Sequence, residues 1–383
     1  MKIGANLSLQ LLVFFLTMAA FTNIYITQPI LPVLQKEFSA NEVTTSFTVS
    51  AVILGIALAN LPFGALADRF SIKPIILIGG IVVSFCSLAC AMTTRLWFLI
   101  IIRFIQGLFI PALTTCLAAH LARSLPTERL NVILGSYVSA TVTGGLGGRL
   151  LGGWLHPPLH WQFAFLITAL LLLIATATAI HWLPDERTGT ATEVRPARFF
   201  DLAMRSDLGR IYLVAFAVFF AFSSLFNYLP FYLSGPAFHS RTEVITFMYL
   251  AYLIGIAAGP LSGHLSNRIG NGTTMILGSV VFGIFIGLTF VQSLIIIATS
   301  LAGICAGFFA IHAAAVGSLN RRLTSSQGRA NSLYVLFYYL GGAIGITLSG
   351  SVYLVAGWTG VALMSACMLL IPLSAGIAEI GKP

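Results

Sequence analysis

Gly64-Ala-Leu-Ala-Asp68-Arg69-Phe-Ser-Ile-Lys73-Pro74 lies between two long apolar runs, and a degenerate copy, Gly263-His-Leu-Ser-Asn267-Arg268-Ile-Gly270-Asn271, follows 199 residues later. Each copy joins a small residue, of the kind that lets helices approach, to a short charged turn. A charged turn between apolar runs reads as the hairpin that joins two membrane-crossing helices. Its recurrence reads as one membrane unit present twice.

Two further loci support the duplication. Gly144, Gly145, Gly148 and Gly153 match Gly341, Gly342, Gly345 and Gly350 at an offset of 197. Gly107, Arg129 and Asn131 match Gly307, Arg329 and Asn331 at an offset of 200. The composition agrees with a membrane location. Of 383 residues 58% are hydrophobic and 8% charged, against roughly 25% charged in soluble domains. A spanning helix needs ~20 mostly apolar residues. Such spans are expected at about 8–34, 44–66, 74–93, 96–121, 131–155, 160–183, 210–234, 243–264, 273–291, 294–318, 330–355 and 359–378. The runs are too long, and alternate too little, for the ~10-residue strands of a membrane barrel. The first run also exceeds a signal-peptide core and has no clear cleavage site. The expected fold class is an all-α membrane protein, with twelve transmembrane helices in two pseudo-symmetric six-helix bundles.

The net charge of +9 is distributed by topology and does not point to nucleic acid. One alternating set of loops carries fifteen Lys and Arg, the other only Lys36, Arg95 and Arg241. The positive-inside rule then places both termini in the cytoplasm, which requires an even number of spans. The longest polar stretch, Pro184 to about Gly209, divides the chain into an N-terminal bundle (1–183), a cytoplasmic linker (184–209) with room for a short surface helix over 199–207, and a C-terminal bundle (210–383). Cys86, Cys90, Cys116, Cys305 and Cys367 all fall in apolar runs and read as small packing residues. No metal-ligand spacing, cofactor motif or GxxxxGK[ST] phosphate loop occurs, so neither a metal, a cofactor nor ATP is expected.

On these motifs the whole chain resembles the major facilitator superfamily. Gly64, Leu66, Asp68, Arg69, Lys73 and Pro74 resemble its loop 2–3 signature, with Ser71 where glycine is usual. Arg103, Gln106 and Gly107 resemble its fourth-span motif. Gly144, Gly148, Gly152 and Gly153 resemble the fifth-span motif of its twelve-span drug:proton antiporter branch, with Arg149 where that branch usually has proline. Gly147-Gly148-Arg149, together with Ser332 to Gly342, resembles the YnfM-like subgroup. The resemblance implies the major facilitator fold and a role in transport. It also implies that Asp68 meets the start of span 11 near Arg329, where a helix N-terminus favours a carboxylate by ~0.3–2 kcal/mol. Gly64, Asp68, Arg69, Lys73, Asn267, Arg268 and Arg329 are therefore candidate gating residues; the alternative is a merely solvated turn.

Candidate substrate contacts follow from polar residues inside apolar spans. Arg103 and Arg149 lie ~10 Å and ~9 Å from the periplasmic ends of spans 4 and 5 at 1.5 Å per residue. An intramembrane arginine costs at least ~2.5 kcal/mol, and all eleven acids map to loops or span ends. The pair invites an anionic substrate group. Alternatively, Arg103 bonds to span-1 carbonyls and Arg149 ties span 5 to span 8. Asn23, Tyr25 and Gln28 in span 1, and Asn227 and Tyr228 in span 7, occupy comparable places near prolines. His312 is the best-placed titratable group within a span, as a proton site, a substrate contact or a packing residue. Tyr334 and Tyr338 share one face of span 11. Gly144, Gly148, Gly152, Gly153, Gly341 and Gly345 are expected to pack helices closely.

The expected activity is secondary active transport of a small organic solute, proton-coupled and outward, by a monomer in a bacterial plasma membrane. The alternatives are an organic-anion or metabolite carrier that uses the arginines, and a non-transporting receptor on a transporter fold. No enzyme-like constellation stands out.

Overall fold

The computed structural model describes residues 2–67, 69–125, 127–183, 199–323 and 326–380; the side chains of residues 2–6, 122–124, 127–132 and 260 lie outside the description. The expectations placed on Asp68, on the Arg129 and Asn131 side chains and on most of the linker therefore fall outside the described residues. Among the described residues every regular element is a helix. In the first part of the chain these are α1 (Lys2–Thr22), a 3-10 turn (Gln28–Ile30), α2 (Leu31–Glu37), α3 (Glu42–Ala67), α4 (Ile72–Met92), α5 (Leu96–Leu113), α6 (Thr115–Ser124), α7 (Thr127–Leu155) and α8 (Gln162–Trp182). There follow α9 (Phe199–Met204), α10 (Ser206–Ser234), α11 (Thr242–Met248), a 3-10 turn (Tyr249–Tyr252), α12 (Leu253–Ile269), α13 (Asn271–Leu288), α14 (Leu294–Arg321), α15 (Gln327–Met368) and α16 (Leu370–Ile377).

Nine stretches among the described residues are long and apolar enough to cross a bilayer. One of them, Gln327–Ile377, has 51 residues, about 77 Å if straight, which is more than twice a ~30 Å hydrocarbon core. It breaks at Gly357, whose φ of 57° and ψ of −149° lie outside the helical region and suit only glycine. It therefore supplies two passes. The apolar Leu7–Thr22 of α1 and the 29-residue α7 complete the expected twelve. The arginine and the many glycines of α7 lower its hydropathy.

Backbone contacts divide the chain into two units, Met1–Ile30 with Ala51–Val194, and Leu31–Ser50 with Arg195–Pro383. In the first, α1 packs on α7, and α4 on both α5 and α8. In the second, α10 packs on α15, and α13 on both α14 and α16. Counted as passes, each unit pairs its first with its fifth, its third with its fourth and its third with its sixth. The duplication read from glycine offsets is thus also a duplication of packing.

Three local departures from the expected spans have physical causes. The first span is not one helix from 8 to 34: α1 ends at Thr22, and regular structure resumes only at Gln28. Pro29 and Pro32 lack the N–H groups that would bond to Tyr25 and Gln28 in a continuous helix. The eighth span is α11 and α12 joined through the 3-10 turn. Gly64 and Gly263 were expected at close helix contacts, yet among the described residues a methyl on Gly64 would meet only Thr115 Cγ2 at 3.9 Å, and one on Gly263 nothing within 4 Å. The close approach lies deeper, where a methyl on Gly107 would fall 2.2 Å from the Val52 carbonyl and one on Gly55 2.6 Å from that of Phe104.

The helices are turned with polar faces inward. On α5, Arg103 and Gln106 are buried while Trp97, Phe98 and Ile101 are exposed, the inverse of a soluble helix and the arrangement lipid requires. Four cysteines are buried as expected, but Cys367 is exposed on α15. Within the expected surface helix, α9 buries Leu202 and exposes Phe200 and Met204.

Candidate functional site

The break after α1 leaves backbone carbonyls without helical donors, and Arg103 takes them. Its guanidinium donates to the Asn23 carbonyl (2.5 Å), to the Ile24 carbonyl and to Gln106 Oε1 (2.5 Å). Gln106 Nε2 in turn donates to Ser87 Oγ at 2.8 Å, and Ser87 to Asn23 Oδ1 at 2.8 Å. Asn23 Nδ2 returns to the Ala19 carbonyl at 2.9 Å. Arg103 is fully buried, and the Phe165 ring lies 5.8 Å from its guanidinium carbon. Each of these donors is matched by an acceptor, which is what makes a buried cation tolerable. The geometry is that of the carbonyl-bonding alternative for Arg103: it stitches α1, α4 and α5 together. Ser87 is a member that sequence reading passed over, because a serine in an apolar helix has no distinguishing pattern.

Arg149 occupies a different setting, on the α7 face against the same broken segment. Its Nε donates to Gln28 Oε1 and a terminal nitrogen to the Gly145 carbonyl, both at 2.7 Å. Its guanidinium carbon lies 3.9 Å from the centre of the Tyr25 ring, a cation–π contact. Three residues expected near substrate, Tyr25, Gln28 and Arg149, are thus brought into one cluster, while Asn23 belongs to the Arg103 network. The glycines of α7 make this possible. A methyl on Gly144, Gly148 or Gly152 would fall 2.4, 2.1 or 1.9 Å from the carbonyls of Met18, Thr22 and Ile26. Gly153 is buried beside them.

The second unit repeats the seam. A methyl on Gly341 would fall 2.1 Å from the Phe216 carbonyl, and one on Gly345 2.7 Å from that of Phe220. Above it, Tyr228 donates to the Ile346 carbonyl at 3.0 Å and lies 5.2 Å from the Tyr353 ring. Asn227 donates through Nδ2 to Ser46 Oγ at 2.8 Å. Its Oδ1 is buried with no hydrogen-bond partner among the described residues, an unusual state for a native amide.

Toward the other end of the same unit, aromatic rings gather around His312. Its Nδ1 is 2.9 Å from the Tyr334 hydroxyl. The ring stacks on Phe308 with centroids 6.0 Å apart, and Tyr338 is 5.4 Å away. Tyr338 stacks on Phe219 at 3.8 Å and Phe308 on Phe222 at 4.0 Å. His312 and the Tyr334–Tyr338 face are separate candidates in the sequence, on spans 10 and 11, and the fold brings them together. The α10 phenylalanines escaped sequence reading, because a phenylalanine-rich helix reads as ordinary apolar surface.

Of the candidate gating residues, Arg69 is exposed after α3 and Lys73 half-buried at the start of α4. Asn267 accepts from Arg321 at 3.2 Å, Arg268 is exposed, and the Arg329 guanidinium carbon lies 5.2 Å from the Phe199 ring centre. A polar cluster that sequence reading missed adjoins them. Arg322 pairs with Glu379 and donates to the Asp207 carbonyl at 2.9 Å, while Ser318 donates to Glu379 at 2.5 Å. These side chains line a cavity of about 560 Å³ with Gly270 and Arg321. The signal is present in opposite charges at the ends of α14 and of the last helix, but in the sequence alone Arg321 and Arg322 read only as topological charge.

Comparison with known proteins adds a family. The chain matches the family model described as Major Facilitator Superfamily over residues 13–271 and 235–375. It is 30% identical over 363 residues to the inner membrane transport protein YnfM of Escherichia coli, covering 94% of this chain and 87% of that one. It is 26% identical over 360 residues to the MFS-type transporter YybF of Bacillus subtilis, covering 92% and 88%. Its fold is similar to the inward-facing, occupied crystal structure of a bacterial homologue of the human lysosomal transporter Spinster, with a TM-score of 0.75 at 14% identity and coverage of 98% and 95%.

Proposed function

Because the chain belongs to the major facilitator superfamily, we propose that it is a secondary active transporter that carries a small organic solute outward by alternating access, in exchange for protons. The observation that supports this most directly is the repeated seam. In each unit a glycine face packs on the carbonyls of that unit's first pass, so the two units are equivalent bodies of the kind that rock in parallel-repeat transporters. The glycine motif of α7, which resembles that of antiporters, supports the outward, proton-exchanging form. We place the division between six-pass bundles at the linker, both termini in the cytoplasm and the working protein as a monomer in a bacterial plasma membrane.

A second reading, carriage of an organic anion, is favoured by one observation. Arg149 is held in place by Gln28, Gly145 and Tyr25, so it presents a fixed cation beside the broken first pass. The two readings separate in proteoliposomes with an imposed pH gradient, with ethidium as a cationic probe and benzoate as an anionic one. Antiport predicts gradient-stimulated movement; rates indifferent to a gradient of either sense for both probes would sink it. Benzoate movement that Arg149→Ala abolishes and Arg149→Lys partly restores supports the anion reading. Benzoate transport at the wild-type rate in Arg149→Ala removes this residue as a substrate contact.

A further inference from the structure

A proton-coupled carrier needs a group within the membrane that gains and loses a proton near neutral pH. Among the described side chains every carboxylate stands at a helix end or outside the long helices. Glu37 closes α2; Glu42, Asp207 and Glu243 lie in the first turns of α3, α10 and α11; Asp201 is in α9; Glu379 follows α16. His120 is buried but stands one turn before the end of α6. His312 lies eighteen residues into α14 and nine before its end, about 14 Å of helix from that terminus.

The ring is placed for reversible protonation. The Tyr334 hydroxyl is its hydrogen-bond partner among the described residues. A neutral imidazole either accepts at Nδ1 or donates from it, whereas an imidazolium only donates. A phenol hydroxyl serves both arrangements. Proton uptake on a ring nitrogen therefore leaves Nδ1–H donating to Tyr334, and release allows the hydroxyl to donate to Nδ1, so the Nδ1–Tyr334 bond persists in both states. Phe308 stacks on the ring and Tyr338 lies tilted beside it. The other titratable groups around it are tyrosines, Tyr334 and Tyr338 on α15 and Tyr252 behind Phe222. The charged or imidazole groups of the helices packed on α14 stand toward their ends: Asp207 and Arg210 on α10, Glu243 on α11, His264 and Arg268 on α12, Arg329 on α15, with Arg321 closing α14 itself. α13 and α16 carry none.

We propose that His312, held by Tyr334, is the proton-binding group that couples solute movement to the proton gradient, an assignment that rests on the coupled-transport reading above. The pair joins α14 to α15, and Tyr338 passes the contact to Phe219 of α10. A change in the direction of the His312–Tyr334 bond therefore acts on the helices that form the glycine seam of the second unit.

The test uses the full chain in liposomes with trapped pyranine, measuring movement of ethidium and of benzoate with and without a pH gradient. The readout is the ratio of the two rates and its profile across about pH 5 to 8. Wild type is expected to show a severalfold ratio for at least one probe. In His312→Gln the ratio falls to about one and the pyranine response disappears, whatever the absolute rate. Tyr334→Phe keeps the imidazole but loses its partner, and the midpoint of the profile moves by ~0.5 pH unit or more. A monodisperse His312→Gln protein that retains the wild-type ratio overturns the assignment, and so does an unmoved midpoint in Tyr334→Phe, which decides the matter if His312→Gln does not fold. Wild type indifferent to the gradient for both probes overturns coupled transport itself and this assignment with it; that failure is distinguished by appearing without any substitution.

Discussion

Arginines 103 and 149 look alike in the sequence and differ in what surrounds them. Arg103 gives its N–H groups to two backbone carbonyls and to Gln106, so its removal leaves buried acceptors unpaired at ~1–3 kcal/mol each. Arg103→Ala is expected to lower the thermal unfolding midpoint of the detergent-solubilised protein markedly. Arg103→Lys recovers little of the loss, because an ammonium cannot span the same set of acceptors. Arg149→Ala removes the donors to Gln28 Oε1 and to the Gly145 carbonyl of its own helix and the cation on the Tyr25 ring, and its main expected effect is on transport of an anionic probe. Unfolding measured beside transport tells the two apart. A smaller loss of stability for Arg103→Ala than for Arg149→Ala would reverse these assignments.

Element-scale behaviour turns on which glycines touch backbone. Gly148 and Gly345 lie against carbonyls, so alanine there forces α7 from α1 or α15 from α10. A cost of about 1–3 kcal/mol is expected, the range for overpacking. Among the described residues Gly259 and Gly263 meet nothing within 4 Å, and alanine there is expected to stabilise α12 by ~0.5–1 kcal/mol through helix propensity. Unfolding of the four variants is the check; equal effects at all four sites would show that the seam is not what the glycines serve. A second element-scale contact is the Arg322–Glu379 pair, which ties the end of the last helix to α14 and the start of α10. A double-mutant cycle with Arg322→Ala and Glu379→Ala is expected to give a coupling of about 0.5–3 kcal/mol.

For the whole molecule, the charge distribution makes a topological prediction. In a Cys367→Ser background, a cysteine replacing His160 between α7 and α8 is expected to react with a membrane-impermeant maleimide in intact cells. One replacing Arg205 is expected to react only after lysis. The reverse pattern would overturn the proposed orientation. Twelve passes were legible from composition because a bilayer demands long apolar helices and tolerates little else. The duplication was legible because glycines at a seam cannot be replaced without moving two backbones, so their spacing is the same in both copies. By contrast, Gly64 and Gly263 belong to the same duplicated pattern and make no close contact among the described residues. A repeated glycine thus shows a shared position without showing what the position does.

By itself the sequence determined the number of passes, the repeat, the expected sidedness and the short set of polar residues that lipid would reject. Only the tertiary structure decided how those residues are divided. It set Arg103 on the carbonyls freed where prolines break the first pass, Arg149 against Tyr25 and Gln28, and His312 against Tyr334 between Phe308 and Tyr338. The reason is physical. Hydropathy and glycine spacing are properties of one helix against lipid or a single neighbour. The partner of a buried polar group is chosen by several helices at once, and their registers are set only when they pack.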